Sequence, residues 1–484
     1  MPTLSGDAAA RTAPRLSKSR YLAGLQCERQ LWLRAHRPEL ATPPDPGQQA
    51  VFEMGHEVGR RAHALFPGGV LVDEPHDGHA AALARTRALL ADRGVPAVFE
   101  GAFEHRGVRI RADVLERLAG GAFGLREVKA STSVHPVHLP DVAIQKWVLQ
   151  GCGLAVPSAE VVHVDGGFVR GAGEMGAEDW RRFFVRADVT ARVDAQLAEL
   201  APRVDGMHGV LGRAAEPEVE PDGHCRRPYL CPFWSHCTAG KPPEWIVVTR
   251  RLAGGRRVAC LEAARSGRPY VAPELPRVLA GLEAPVWYLD FETIAPAIPI
   301  LPGTRPFEAV AAQWSLHRLD TAGRIEHRAF LAPGPGDPRR SAARSLLGAL
   351  RSDPAPVVVW SGYESQVLRA LAGALPDLGI ALADVRGRLV DLYDVVRRYV
   401  YHPAFRGSFS LKDVAPALVP GFGYGDLRGV ADGASAASAL LRLVAGELPP
   451  LDEASLREAL LAYCERDTRA LVEVHAALRK MSPA

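Results

Sequence analysis

Lysine is almost missing from this 484-residue chain: of 58 basic side chains only six are lysines, Lys18, Lys129, Lys146, Lys241, Lys412 and Lys480. We read the arginine excess as a mark of GC-rich coding rather than of phosphate binding, which makes Lys129 informative because of where it falls. Long apolar runs are missing as well. No stretch of about 18 or more uncharged apolar residues occurs, so no membrane-spanning helix is expected. Residues 1–20 are polar and arginine-rich without an apolar centre, unlike a secretory signal. Residues 1–15 are expected to be a disordered lead-in. The seven cysteines are few and odd in number, which argues for a reducing cytoplasm and against a disulfide framework. There is no low-complexity tract and no internal repeat. The net charge of +3 neither requires nor excludes a polyanionic partner, since a nucleic-acid enzyme needs only a local basic track.

What is present fits a globular protein with 47% hydrophobic and 23% charged residues, long enough for two or three cores. The expected class is α/β. Helical periodicity runs over 21–35, 49–65 and 79–92. Alternating, β-like stretches follow over 97–104, 108–117 and 123–128, the last two joined by Gly120-Gly121 as a hairpin. A helix over 141–150, a strand over 160–164 and a long helix over 177–200 complete a region spanning 16–240. Residues 241–284, rich in Pro and Gly, read as a loosely packed connector. A second domain, 285–484, opens on the apolar strand Val286-Trp287-Tyr288-Leu289. It continues with strands over 309–319 and 324–331, a helix over 341–350, the strand 357–360 and a last helix over 456–478.

Each domain carries a carboxylate constellation. In the first, Asp113 lies on one strand of the hairpin, and Glu127 and Lys129 project to the same side of the next. Two carboxylates can hold a divalent cation, Mg2+ or Mn2+, through hard oxygen ligands. A lysine beside them can orient water and stabilise charge on a phosphoryl transition state. His56 can add a nitrogen ligand from an upstream helix, and Gln145 can reach the site or the substrate from the following one. The bland reading is a solvated hairpin with cross-strand ion pairs.

The cysteines bear on that choice. Cys225-x5-Cys231-x5-Cys237 follows this region, and Cys27 precedes its sheet. With His56, Asp113, Glu127, Lys129 and Gln145, the pattern over 16–240 resembles the iron–sulfur subgroup of the PD-(D/E)XK nucleases. These are the RecB-like enzymes that include AddB-type recombination nucleases and CRISPR-adaptation exonucleases. The resemblance implies a restriction-endonuclease-like fold closed by a [4Fe–4S] cluster on Cys27, Cys225, Cys231 and Cys237. This triplet lacks the Cys-x2-Cys step of many relatives, and Leu149 stands where they often carry tyrosine. Zinc remains open, either on the four thiolates or on three with His224 or His236. Cys152, Cys260 and Cys464 read as ordinary small buried residues.

In the second domain, Asp290 and Glu292 share a strand face, while Tyr463 and Asp467 share a helix face one turn apart. Asp290, Glu292 and Asp467 can bind two cations, with Tyr463 orienting water. The pattern resembles the DEDD exonucleases of RNase H-like fold, in the subgroup with tyrosine in the last motif. Glu364 is the candidate for the middle carboxylate, with Asp391 and Asp394 as substitutes. The order of the two domains is also similar to an uncharacterised bacterial family joining these two folds. The segment 407–414 looks like its signature; there Lys412 can meet a phosphate, or Ser410 can simply start a helix. His402, Phe405 and Arg406 can line a strand path by stacking, or form a surface loop.

The function expected is metal-dependent hydrolysis of phosphodiester bonds, in DNA before RNA, at single-stranded ends or flaps. The alternative from another class is a nucleic-acid-binding module with degenerate sites and a structural iron–sulfur or zinc centre. A redox-sensing cluster protein on the same scaffold is a third.

Overall fold

The computed structural model describes residues 14–75, 77–242, 245, 255–350, 353–430 and 432–481, so the lead-in expected over 1–15 lies almost wholly outside the described residues. The fold is mixed α/β. The chain forms two compact units, one comprising Met1–Pro43, Met54–Phe168 and Glu174–Gly240, the other Pro44–Glu53, Val169–Gly173 and Lys241–Ala484. Among the described residues, no single helix is long and apolar enough to cross a membrane.

The first unit begins with α1 (Lys18–Gln26), α2 (Glu28–His36) and α3 (His79–Ala91). An antiparallel meander follows, β1 (Ala97–His105), β2 (Val108–Arg117) and β3 (Phe123–Lys129). Strand β2 shows why it forms: Val108, Ile110, Ala112 and Val114 are buried, while Arg109, Arg111 and Asp113 alternate to the half-buried face. The turn before β3 uses Gly120 and Gly121 at φ of 73° and 81°, the left-handed region that favours glycine. Helix α4 (His138–Gly151) then crosses to β4 (Ser158–Val164), parallel to β3, and β5 (Phe184–Asp188) closes that edge antiparallel.

Two expected helices are broken. The periodicity over 21–35 continues through Cys27, but Cys27 itself is extended, with φ −166° and ψ 128°, ending α1 and starting α2. Tyr21 and Ala23 of α1 and Leu31, Trp32 and Leu33 of α2 are all buried, so the apolar spacing alone hides the break. The span 177–200 contains Ala177–Phe183, then β5, then Thr190–Leu197. Cross-strand pairing with β4 overrides the helical spacing there.

The second unit holds a five-stranded sheet of β6 (Val286–Ile294), β7 (Val310–Leu319), β8 (Ile325–Leu331), β9 (Val357–Val359) and β10 (Leu389–Asp391). Its spatial order is β8-β7-β6-β9-β10; β6, β7 and β8 run antiparallel in sequence, and β9 and β10 are parallel to β6. Helices α5 (Arg339–Leu350), α6 (Tyr363–Ala374), α7 (Leu411–Leu418), α8 (Gly433–Ala445) and α9 (Pro450–Lys480) surround it. Central β6 is buried on both faces except at Asp290, which explains its unbroken apolar run.

Part of the expected connector is core. Cys260, Ala263, Val271, Leu275, Leu279 and Leu282 pack with Tyr288 and Leu471, and Tyr270–Val271 pairs with Val400–Tyr401. Its Pro and Gly residues punctuate short elements rather than a free linker; 243–244 and 246–254 lie outside the described residues.

Leu289 has no exposed surface at the centre of β6. Leu289→Ala is expected to cost about 2–5 kcal/mol, read as an earlier denaturant transition of tryptophan fluorescence from Trp287 and Trp314; a loss below about 1 kcal/mol would contradict this packing.

Candidate metal centres

In the first unit, β2, β3, α1 and α4 bring five charged groups together. The backbone N–H of Val128 donates to Asp113 Oδ2 at 2.8 Å, which fixes Asp113 against β3. Lys129 Nζ sits 2.6 Å from Glu127 Oε1 and 2.6 Å from Asp141 Oδ2. Gln145 Nε2 donates to Glu127 Oε2 at 2.7 Å and to Asp141 Oδ1 at 3.0 Å. Lys18, at the start of α1, places its ammonium 3.2 Å from Glu127, 3.3 Å from Asp141 and 3.9 Å from Asp113. The structure therefore joins Asp113, Glu127, Lys129 and Gln145, and adds Lys18 and Asp141, which the sequence reading missed.

Electrostatics follow from this geometry. Burial pushes the Asp113 carboxyl up, against the pull of Lys18 and Lys129. Burial and Asp113 push Glu127 up too, but the two lysines outweigh them and leave it lowered. Glu100, in register opposite Asp113, has a positive φ of 54°, a conformation that costs energy for a residue other than glycine. Its carboxyl is also raised, first by burial. His56 is exposed on the helix Pro46–Ala62 and takes no part in the contacts described around Asp113 and Glu127.

Cys225 lies in a 3-10 turn of helix, Cys237 on the short helix Trp234–Thr238 and Cys231 in the chain between them, with the Cys231 N–H donating to the Cys225 carbonyl at 2.8 Å. Burial raises these three thiols, Cys231 to about 11, and each is raised further by the negative charge of its neighbours, Cys27 among them. The four thiols thus act on one another electrostatically, a donor set for a thiophilic cation or cluster that would deprotonate them on binding. His236 is engaged by Glu216 at 3.2 Å, and His224 Nε2 lies 3.5 Å from Cys225 Sγ. Cys152, expected to be buried, is exposed, its thiol directed to the Glu104 carbonyl. The helix α4 ends just before it and leaves it on the surface.

In the second unit, β6 carries Asp290 and Glu292, and α9 carries Tyr463, Cys464 and Asp467 against them. Glu292, Glu364 and Asp467 are 8%, 3% and 7% exposed, so three carboxylates besides Asp290 leave water together. Ligand atoms of Asp290, Glu292 and Cys464 lie within 4.8 Å of one another, and Cys464 Sγ is 3.6 Å from Asp290 Oδ2. Cys464 is therefore a neighbour of the acidic cluster, not a bystander. Burial and mutual repulsion raise Asp290 and Glu292 well above the carboxylate range, and burial, with Asp391 behind it, lifts Glu364 to about 8. Glu364 Oε2 and Asp467 Oδ1 are buried without a hydrogen-bond partner. Buried acceptors of this kind call for a cation or a proton.

Of the middle-carboxylate candidates, Glu364 faces Asp290 and Glu292 from the first turn of α6. Asp391 caps the next helix through the Asp394 N–H, and Asp394 pairs with Arg397 and Arg398. Lys412, on α7, lies 4.7 Å from the Tyr463 ring centroid and draws the carboxyls of Glu292 and Asp467 down. The segment 407–414 thus delivers a lysine to the cluster, while Ser410 caps α7 without a side-chain hydrogen bond. The Tyr424 hydroxyl also faces Asp467. Phe405 is 1% exposed in the core, so the stacking path over His402, Phe405 and Arg406 is not built.

A protein-family profile described as a domain of unknown function (DUF2779) matches residues 287–410. That span includes Asp290, Glu292 and Glu364 and ends before Lys412, Tyr463 and Asp467. No curated protein matches the chain.

The Lys18 ammonium stands among Asp113, Glu127 and Asp141, where a divalent cation would be held. Lys18→Met, in an Asp290→Asn background that disables the second cluster, is expected to tighten Mn2+ binding at least tenfold, about 1.4 kcal/mol. Electron paramagnetic resonance of free Mn2+ reads the affinity; an unchanged value would show that the ammonium does not compete.

Proposed function

We propose that this protein is a divalent-metal-dependent nuclease whose principal hydrolytic centre is Asp290, Glu292, Glu364 and Asp467. The observation that carries the reading is the burial of Glu292, Glu364 and Asp467 around the half-buried Asp290, with acceptor atoms on Glu364 and Asp467 left without partners. Mg2+ or Mn2+ bound there would supply Lewis acidity and a nucleophilic hydroxide at neutral pH. The chain's own groups do the rest: the carboxylates hold the cations, and Lys412 meets the non-bridging oxygens of the scissile phosphate. The Tyr463 hydroxyl, beside Asp467, orients the attacking water. The sheet order β8-β7-β6-β9-β10, with β7 antiparallel to its neighbours, supports an RNase H-like reading of the second unit.

In the first unit, the run α3-β1-β2-β3-α4-β4 supports a PD-(D/E)XK reading, with Asp113 and Glu127 as cation ligands, Lys129 beside the water and Gln145 fixing Glu127. Cys27, Cys225, Cys231 and Cys237 would hold a [4Fe–4S] cluster that ties α1 and α2 to the end of the domain, with zinc as the alternative occupant. The substrate proposed is nucleic acid, DNA before RNA, presented as a single-stranded end or flap so that a phosphate reaches a recessed cation. Cysteines unpaired by disulfides suit the cytoplasm. One observation favours a second reading for the first unit, as a binding module: Lys18 neutralises its carboxylates internally.

End-labelled single- and double-stranded DNA and RNA, with Mg2+ or Mn2+, test the reading. Asp290→Ala is expected to lower cleavage at least a hundredfold, and Asp113→Ala to a smaller extent. Wild-type protein that binds but never cleaves would overturn it. Anaerobically purified protein is expected to contain iron and acid-labile sulfide, and Cys231→Ala to lose both along with thermal stability of the first unit; stoichiometric zinc without iron would refute the cluster.

A further inference from the structure

On the second unit's sheet, His317 of β7 and His327 of β8 stand directly opposite each other in register, with ring centroids 4.6 Å apart. Glu465 of α9 reaches the pair, its Oε1 lying 3.7 Å from His327 Nδ1. One ligand atom from each of the three residues lies within 4.8 Å of the other two. None of them belongs to the acidic cluster: on α9, Cys464 and Asp467 turn toward Asp290, while Glu465 and Thr468 turn toward the histidines.

The remaining ring nitrogens are occupied by hydroxyls. His317 Nδ1 pairs with Thr468 Oγ1 at 2.8 Å, and His327 Nε2 with Ser315 Oγ at 2.9 Å. Ser315 and Thr468 are themselves linked at 2.6 Å, and Thr468 also reaches the Glu465 carbonyl at 3.1 Å. One assignment of protons satisfies the whole chain. His317 Nδ1–H and the Ser315 hydroxyl donate to Thr468 Oγ1, Thr468 donates to the Glu465 carbonyl, and His327 Nε2–H donates to Ser315 Oγ. That assignment leaves the lone pairs on His317 Nε2 and His327 Nδ1. It is the arrangement by which outer partners fix the tautomer and orientation of metal-binding imidazoles. Burial, aided at His317 by His327, keeps both rings neutral at pH 7.

We propose that His317, His327 and Glu465 form a separate transition-metal site, fitted to zinc rather than Mg2+, that clasps α9 to β7 and β8. Two imidazole nitrogens and one carboxylate suit zinc, whereas Mg2+ prefers all-oxygen ligands. The clasp acts on the same helix that carries Tyr463 and Asp467, so zinc there fixes their position relative to Asp290 and Glu292. It does not depend on the protein being a nuclease.

The test uses the full chain with Mg2+ in excess, comparing zinc content and Zn2+ titration calorimetry of wild type, His327→Ala, Glu465→Gln and Asp290→Asn. His327 and Glu465 are partly exposed, so these variants are expected to fold. Zinc held by cysteines cancels in the comparison. The expected result is one equivalent fewer, or affinity weakened at least tenfold, in His327→Ala and Glu465→Gln but not in Asp290→Asn. A zinc-edge anomalous peak beside His327 is expected in crystals. Equal stoichiometry and affinity in all four proteins would overturn the site, as would loss in Asp290→Asn alone.

Discussion

Like charges gathered away from water are the constraint on which the second unit depends. Two carboxylates about 4 Å apart repel by about 4 kcal/mol at the effective dielectric of a protein near its surface. That is a large share of a domain's whole stability of roughly 5–15 kcal/mol. Asp290, Glu292, Glu364 and Asp467 therefore coexist only if protons or cations neutralise them. The raised carboxyls of Asp290, Glu292 and Glu364 express the proton solution, and a pair of divalent cations is the other. The surrounding sheet and helices supply the energy that holds the arrangement together: β6 is buried along nearly its whole length, and α9 packs its buried face against it.

The first unit meets the same problem differently. Its carboxylates Asp113, Glu127 and Asp141 are compensated from within by Lys18 and Lys129, and Gln145 takes up the other Glu127 oxygen. The two clusters therefore differ in what they ask of a cation. One has an unsatisfied charge to give it, whereas the other has to release an ammonium first. This difference, rather than the presence of matching motifs, is what tells the two clusters apart.

Lysine scarcity held more information than its use for Lys129 alone. Three of the six lysines stand at carboxylate clusters: Lys18 and Lys129 in the first unit, Lys412 in the second. Lys18 escaped notice because it lies 95 residues from Asp113 in sequence, on a helix whose docking no local pattern reveals. Asp141 escaped because a helix-start aspartate ordinarily means a cap or a favourable dipole contact. Cys464 looked like a small core residue, which it also is; its contact with Asp290 exists only because α9 lies across β6.

By itself the sequence determined the α/β class, the strands β1–β4 and β6–β9, the pairs Glu127 and Lys129, Asp290 and Glu292, and Tyr463 and Asp467 as sharing a face, and Asp113 on the neighbouring strand. Those follow from local periodicity, whose reach is one strand or a few helical turns. Only the tertiary structure decided that Cys27 interrupts a helix, that β5 is a strand, that Glu364 rather than Asp394 joins the acidic cluster, and that His317 and His327 meet Glu465. Each of these depends on which element packs against which. Burial and cross-strand pairing, set by distant parts of the chain, outweigh the weak local preferences that a sequence window contains.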